Sequence, residues 1–230
     1  MDHGHFAGAR RRLFGGVARV RLVLVGGGGF GRELLTFTID IARGGGGPTI
    51  TGYIDDGGPD TLGALGYDVA WLGTIADFHP QPGDRLVLGL GSPTGKKAVV
   101  DRLRKRGARF ERVIHPTALI TQRTAIGEGC IFAPFTGSGT DTRIGDFVTV
   151  NSYSGLGHDA RVGDFTTLSA HVDVMGYVDV GAEVFIGSNA SIMPNVTIGA
   201  GSKIGAGSIV YRKVPSGATI YATPAKRLKG

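Results

Sequence analysis

A chain of 230 residues with 41 glycines and a single cysteine has room for one large or two small domains and cannot carry an internal disulfide framework, which fits a reducing, cytoplasmic setting. Its glycines lack the every-third spacing of collagen, and no apolar run reaches membrane-spanning length. Much of the net charge of +6 lies in terminal runs, Arg10 to Arg12 and Lys226, Arg227 and Lys229, which read as solvated charge; phosphorylated small molecules are the expected partners, not nucleic acid or membrane.

Residues 1–19 carry arginines but no apolar stretch of signal-peptide type, and read as a mobile basic tail. Residues 20–25 (VRLVLV) form a buried strand, followed by Gly26, Gly27, Gly28, Gly29, Phe30 and Gly31 and a helix over 32–42. A glycine turn between a first strand and a helix lets the backbone approach a phosphate, with helix amides and partial positive charge at hand. A second strand at 49–54 ends in Asp55 and Asp56, placed to accept hydrogen bonds from a ribose or nucleobase. Turn formation is the plain alternative for these aspartates, since glycines follow them. A third strand at 86–90 leads to a loop holding Lys96 and Lys97, which could meet a phosphate or only solvent, and then to a basic helix over 98–106. Residues 20–114 thus make a Rossmann-like parallel α/β domain, with space for one half of a doubly wound fold and not for two. The expected ligand is a single nucleotide carrying a sugar, and NAD is disfavoured.

His115 and Pro116 lead into the stretch that dominates the chain. From Ile120 to Val210 one aliphatic residue returns every six positions (Ile120, Ile126, then Ile144, Val150 and onward), with only Phe132 and Ser138 departing from Ile, Leu or Val. A second ladder, four places after each rung, is small and includes Cys130. Two inward residues separated by two in sequence fit a short strand, and strand, corner, strand repeated three times closes a triangle of eighteen residues per coil. Stacked coils make a parallel solenoid about 25 Å tall. Glycine commonly follows the large rung, where a corner is expected to need its conformational freedom. Residues 115–212 are assigned to this β-helix and 213–230 to a C-terminal tail.

His158 stands two places after the rung Leu156, at a corner, with Asp159 expected on the outward side of the next strand. One coil further on stands Gly176, which leaves a notch above the imidazole. A histidine, a carboxylate and a free backbone N–H are the parts needed for acyl transfer: a base of suitable pKa, a group that orients it, and a donor to a developing oxyanion. An ordinary surface histidine is the plain alternative.

Val150-Asn151-Ser152, Gly157-His158-Asp159, Ile114-His115-Pro116 and Pro224-Ala225-Lys226, with the glycine-rich first turn, resemble the sugar O- and N-acyltransferase family of hexapeptide-repeat enzymes. That family includes sialic acid O-acetyltransferases and N-acetyltransferases of nucleotide-linked 4-amino-4,6-dideoxy sugars. The resemblance implies a left-handed β-helix, a homotrimer with active sites between subunits, acetyl-CoA as co-substrate without a metal, and a nucleotide-linked amino sugar as acceptor. By it His158 is the general base, Asp159 its partner, Asn151 a contact to the reacting end of the acceptor, and Gly176 the amide donor to the thioester carbonyl. The turn at Gly26, Gly28, Gly29, Phe30 and Gly31, with Asp55 and Asp56, would hold the nucleotide; Lys226 and Arg227 would lie near the CoA phosphates. The chain departs from the family at Phe30, where histidine is common, and at Ser92 and Pro93, where an acidic residue or asparagine is. Thr167 stands where some relatives have a second histidine beside acetyl-CoA. O-acetylation of a sugar hydroxyl, and a trimeric nucleotide-sugar binder without turnover, are the competing readings. A zinc site of the carbonic anhydrase type would need three converging histidines, and only His158 and His171 lie on the ladder.

Overall fold

The computed structural model describes residues 20–223. The stretches 1–19 and 224–230, and with them the expected basic tail, Lys226 and Arg227, lie outside the described residues.

The first domain is a parallel sheet with helices packed against it. Its elements are β1 (Arg21–Val25), α1 (Gly29–Arg43), β2 (Ile50–Ile54), α2 (Asp60–Gly63), β3 (Ala70–Trp71), β4 (Asp84–Leu88) and α3 (Pro93–Arg104). Strand order is β3-β2-β1-β4, with every neighbour parallel. Leu22 to Val25 and Leu86 to Leu88 are buried, as continuous apolar strands covered on both faces should be. α1 starts three residues before the expected position: a Cβ at Gly31 would collide with the Gly26 carbonyl oxygen, so the glycine run serves close helix–strand packing inside the helix. α3 starts at Pro93, five residues early, because Ser92 Oγ accepts the Gly95 N–H at 3.3 Å and proline suits a first helical turn.

From β5 (Val113–Ile114) to β22 (Thr219–Ile220) the chain forms two-residue strands in three parallel sheets of seven, six and five. The rungs therefore begin before and end after the 115–212 span. Partners are one coil apart: Val150 pairs with Leu168, Leu156 with Val174 and Val162 with Val180. The first face carries Val150 and Leu168, the second Leu156 and Val174, the third Val162 and Val180. These rungs and the small ladder fill one continuous core, including Cys130. Burial pushes the Cys130 thiol up to about 11, and its Sγ donates to the Gly145 carbonyl, so it packs and does not react.

The corners differ from expectation. The left-handed residue stands three places after the rung, and it is usually not glycine: Phe147, Tyr153, Asp159, Phe165, His171 and Tyr177 have φ of 57–63°. Asp159 is therefore a corner residue and not part of the following strand. The glycine directly after a rung answers a different demand, since a Cβ on Gly163 would sit 2.5 Å from the Ala182 nitrogen of the next coil. Gly163→Ala should force two coils apart and cost about 1–3 kcal/mol. Differential scanning calorimetry should show a lowered unfolding midpoint; an unchanged midpoint would mean the coils separate freely there.

The domains meet at the corner between the third and first faces. Phe147 and Phe165 stack at 5.2 Å, and Phe110 meets Phe147 edge-on at 5.0 Å. They share a buried cluster with Phe78, Leu86 and Val100. Lys96, expected near a phosphate or solvent, is instead 1% exposed and donates to Phe147 O at 2.8 Å, Thr166 O at 3.1 Å and Thr149 Oγ1 at 3.2 Å. It fixes α3 to the solenoid. Lys97 pairs with Asp101 on its own helix. His115 is buried, with Nδ1 2.8 Å from Thr117 Oγ1 and Nε2 3.4 Å from Asp40, a structural role at the same junction.

Candidate active site

In a parallel sheet of order β3-β2-β1-β4, connections leave β1 and β4 in opposite directions, and a crevice opens beyond the carboxyl ends of those two strands. A cleft of about 1080 Å³ lies there, between the glycine turn and the first face of the solenoid. Gly29, Phe30 and Ser92 line it from the first domain, and Asn151 and Thr167 from the solenoid. The first-turn amides of α1 have no intrahelical partner, so this wall favours anions.

Asp55 and Asp56 are not part of the cleft lining. Asp55 accepts the Gly27 and Gly57 N–H groups, each at 2.7 Å, and Asp56 accepts the Ile75 N–H at 2.8 Å. β2 lies beyond β1 from the crevice, so its carboxyl end shapes loops. Gly26 is likewise spent on structure, its N–H bonded to Ile54 O, and Gly28 is the N-cap of α1. Gly29 and Phe30 are the glycine-turn residues that border the cleft.

Asn151 follows its rung directly. Its Nδ2 donates to Leu168 O at 2.7 Å, which leaves Oδ1 as an acceptor. Thr167 is buried on the first face and donates to Gly91 O at 2.9 Å, closing the cleft floor onto the loop after β4. It stands with Asn151, not beside His158.

His158 occupies the corner between the second and third faces. Its Nδ1 is 2.9 Å from Asp159 Oδ2, a contact that fixes the ring and leaves Nε2 to act. The residue one coil above is superposed on it: a Cβ on Gly176 would be 2.7 Å from Nε2 and 2.8 Å from Cε1. Any larger residue at 176 would displace the imidazole. Among the described residues the Gly176 N–H makes no hydrogen bond. Tyr177 meets the imidazole edge-to-face at 5.0 Å, and its N–H bonds to His158 O.

Within one chain His158 and the cleft do not meet, because the corner between the second and third faces is opposite the first face. His171 lies at the corner between the first and second, stacked on Tyr153 at 4.9 Å. Among the described residues no three of His, Cys, Asp and Glu are grouped to hold a metal ion, and no helix is long and apolar enough to cross a membrane. The sequence reading missed Glu33, the Phe147–Phe165 contact and the Phe135–Tyr153–His171 column. Only the eighteen-residue spacing of the aromatic corners, Phe147 to Phe165 and Phe135 to Tyr153, offered a signal.

The family model for the bacterial transferase hexapeptide (six repeats) matches residues 177–212. No curated protein matches the chain by sequence comparison. Among solved structures, PerB from Caulobacter crescentus in complex with CoA and GDP-perosamine is 28% identical, with 91% of this chain and 97% of that one covered at a TM-score of 0.77. A variant of perosamine N-acetyltransferase from Caulobacter crescentus, in complex with CoA and GDP-perosamine, is 25% identical over 91% and 97% at 0.74. The acetyltransferase domain of PglB from Neisseria gonorrhoeae, in complex with acetyl coenzyme A, shares the fold at 22% identity over 91% and 100%, with a TM-score of 0.75. In its six-residue ladder, its parallel prism and the small parallel α/β domain joined to it, the chain is similar to the hexapeptide-repeat sugar acyltransferases.

Proposed function

We propose that this chain transfers the acetyl group of acetyl-CoA to the amino group of a nucleotide-linked amino-deoxy sugar, as a cytoplasmic homotrimer whose sites lie between subunits. The observation that carries the reading is the His158–Asp159 pair under the bare α-carbon of Gly176. The solved relatives named above bind CoA or acetyl coenzyme A, and two of them GDP-perosamine, which supports the same donor and acceptor classes here.

His158 Nε2 accepts the proton of the acceptor amine as it attacks the thioester carbonyl. Asp159 keeps the proton on Nδ1 and stabilises the imidazolium that forms. The Gly176 N–H donates to the carbonyl oxygen as charge collects there, and the CoA thiolate leaves. No covalent enzyme intermediate is required, in keeping with a buried, protonated Cys130. The amides of Gly29 and Phe30 hold the nucleotide phosphates, and Asn151 contacts the sugar at its reacting end.

The cleft and the imidazole stand on opposite sides of one prism, so each working site takes His158 from one subunit and the cleft from the next. Inactive His158→Ala and Asn151→Ala chains, co-expressed so that mixed trimers form, should therefore regain thiol release from acetyl-CoA. The acceptors in this assay are nucleotide-linked 4-amino-4,6-dideoxy sugars. Mixed trimers no more active than either parent would overturn the shared site, and transfer only to hydroxyl acceptors would overturn the amine.

A further inference from the structure

The large cleft has an annex. A smaller cavity of about 360 Å³ adjoins it, bounded by Glu33, Asn151, Tyr153, Ser169 and His171. Glu33, Asn151 and Ser169 border both spaces, so the two are continuous. Both spaces therefore border the first turns of α1, the wall that favours anions.

The annex walls mix donors and acceptors, and Glu33 supplies their one carboxylate. Asn151 gives one amide N–H to Leu168 O, which leaves its oxygen and a second N–H. Glu33 is exposed on the first turns of α1 where the two cavities meet, and among the described residues its carboxylate has neither a hydrogen bond nor an ion pair, so it is free to meet a ligand. The outer wall is rigid: Tyr153 and His171 are nearly coplanar, at 4.9 Å and 6°, with Phe135 stacked beneath at 5.1 Å and all three corners held in the left-handed conformation. An unpaired carboxylate beside an amide oxygen, in a space the size of a hexose and walled by fixed rings, suits a ligand that brings donors and positive charge.

The geometry points to Glu33 as the residue that selects an amino sugar over its hydroxyl counterpart, by accepting hydrogen bonds from the ammonium group in the annex. The inference rests on the reading of the cleft as the nucleotide-sugar site and goes beyond it in naming what sets acceptor class. A carboxylate–ammonium hydrogen bond is worth more than a neutral one, and its loss would cost roughly tenfold or more in affinity.

The test is calorimetric titration of the full chain, wild type and Glu33→Gln, with three probes. These are GDP or UDP alone, the same nucleotide linked to a 4-amino-4,6-dideoxyhexose, and the same nucleotide linked to the 4-hydroxy counterpart. Wild type should bind the amino sugar at least about tenfold more tightly than the hydroxy sugar at neutral pH. Glu33→Gln should bind both alike while retaining wild-type affinity for the bare nucleotide, which also shows that the variant folds. A preference that survives in Glu33→Gln, or is absent from wild type, overturns the assignment of Glu33 and leaves the cleft reading standing. Failure of wild type to bind any nucleotide overturns the cleft reading and the assignment with it.

Discussion

Replacing His158 with alanine is expected to lower kcat for acetyl transfer by about 10²- to 10⁴-fold, the range that a positioned general base contributes. The imidazole has the supports such a base needs. Asp159 holds Nδ1 at 2.9 Å, Tyr177 packs edge-on against the ring, and the missing side chain at Gly176 leaves Nε2 uncovered. KM for both substrates should move far less than kcat, because the proton is transferred only as the new bond forms. Stability should change by no more than about 0.5 kcal/mol, since the side chain is 56% exposed and fills no part of the core. The measurement is steady-state thiol release, with an unfolding curve on the same preparation. A loss smaller than about tenfold in a fully folded variant would remove His158 from the role of base and leave positioning alone to account for catalysis.

The superposition of residues 158 and 176 was legible because the repeat is written into the chain at fixed length. One slip in ninety residues would have destroyed it, and the rungs pair in the register that the period requires. Other features depend on what covers the outside of a coil, and the period is silent on that. Phe147 and Phe165 occupy the same kind of corner as Tyr153 and His171, yet one pair is buried beneath the first domain and the other is exposed. That Asp55 and Asp56 take the turn role and stand off the cleft has a topological reason: the sequence shows an acidic pair after a strand but not that β1 and β4 flank the crevice while β2 stands outside it. The corner glycines were found for the wrong cause. Crowding against the next coil, and not backbone freedom, excludes a side chain there.

Lys96→Met is expected to change both the stability of the protein and its dependence on pH. The ammonium is buried between α3 and the solenoid, where Phe147 O, Thr166 O and Thr149 Oγ1 take up its three N–H bonds. Methionine matches its length and removes every donor; Thr166 O still accepts the Thr149 N–H, but Phe147 O and Thr149 Oγ1 lose their partner at about 1–3 kcal/mol each, partly offset by relief of the charge's own desolvation. A net loss of roughly 3 kcal/mol is the expected result. The pH dependence follows from burial, which lowers the Lys96 pKa to about 7, with Cys130 opposing weakly. In the unfolded chain a lysine titrates near its ordinary value of about 10.4. Below pH 7 both states hold the proton and this group adds no slope. From about 7 to about 10 the unfolded chain binds a proton that the folded chain has released, so wild-type stability rises with pH across that window. Lys96→Met lacks that rise. Denaturant unfolding of both proteins between pH 6 and pH 9 should therefore give curves that diverge above neutrality, with the gap widening toward pH 9. Parallel curves would mean that Lys96 keeps its proton throughout, stabilised by its three acceptors more strongly than burial opposes it. The same substitution loosens the junction that carries Ser92 to the cleft, so KM for the nucleotide-linked acceptor should rise while KM for acetyl-CoA stays near its wild-type value.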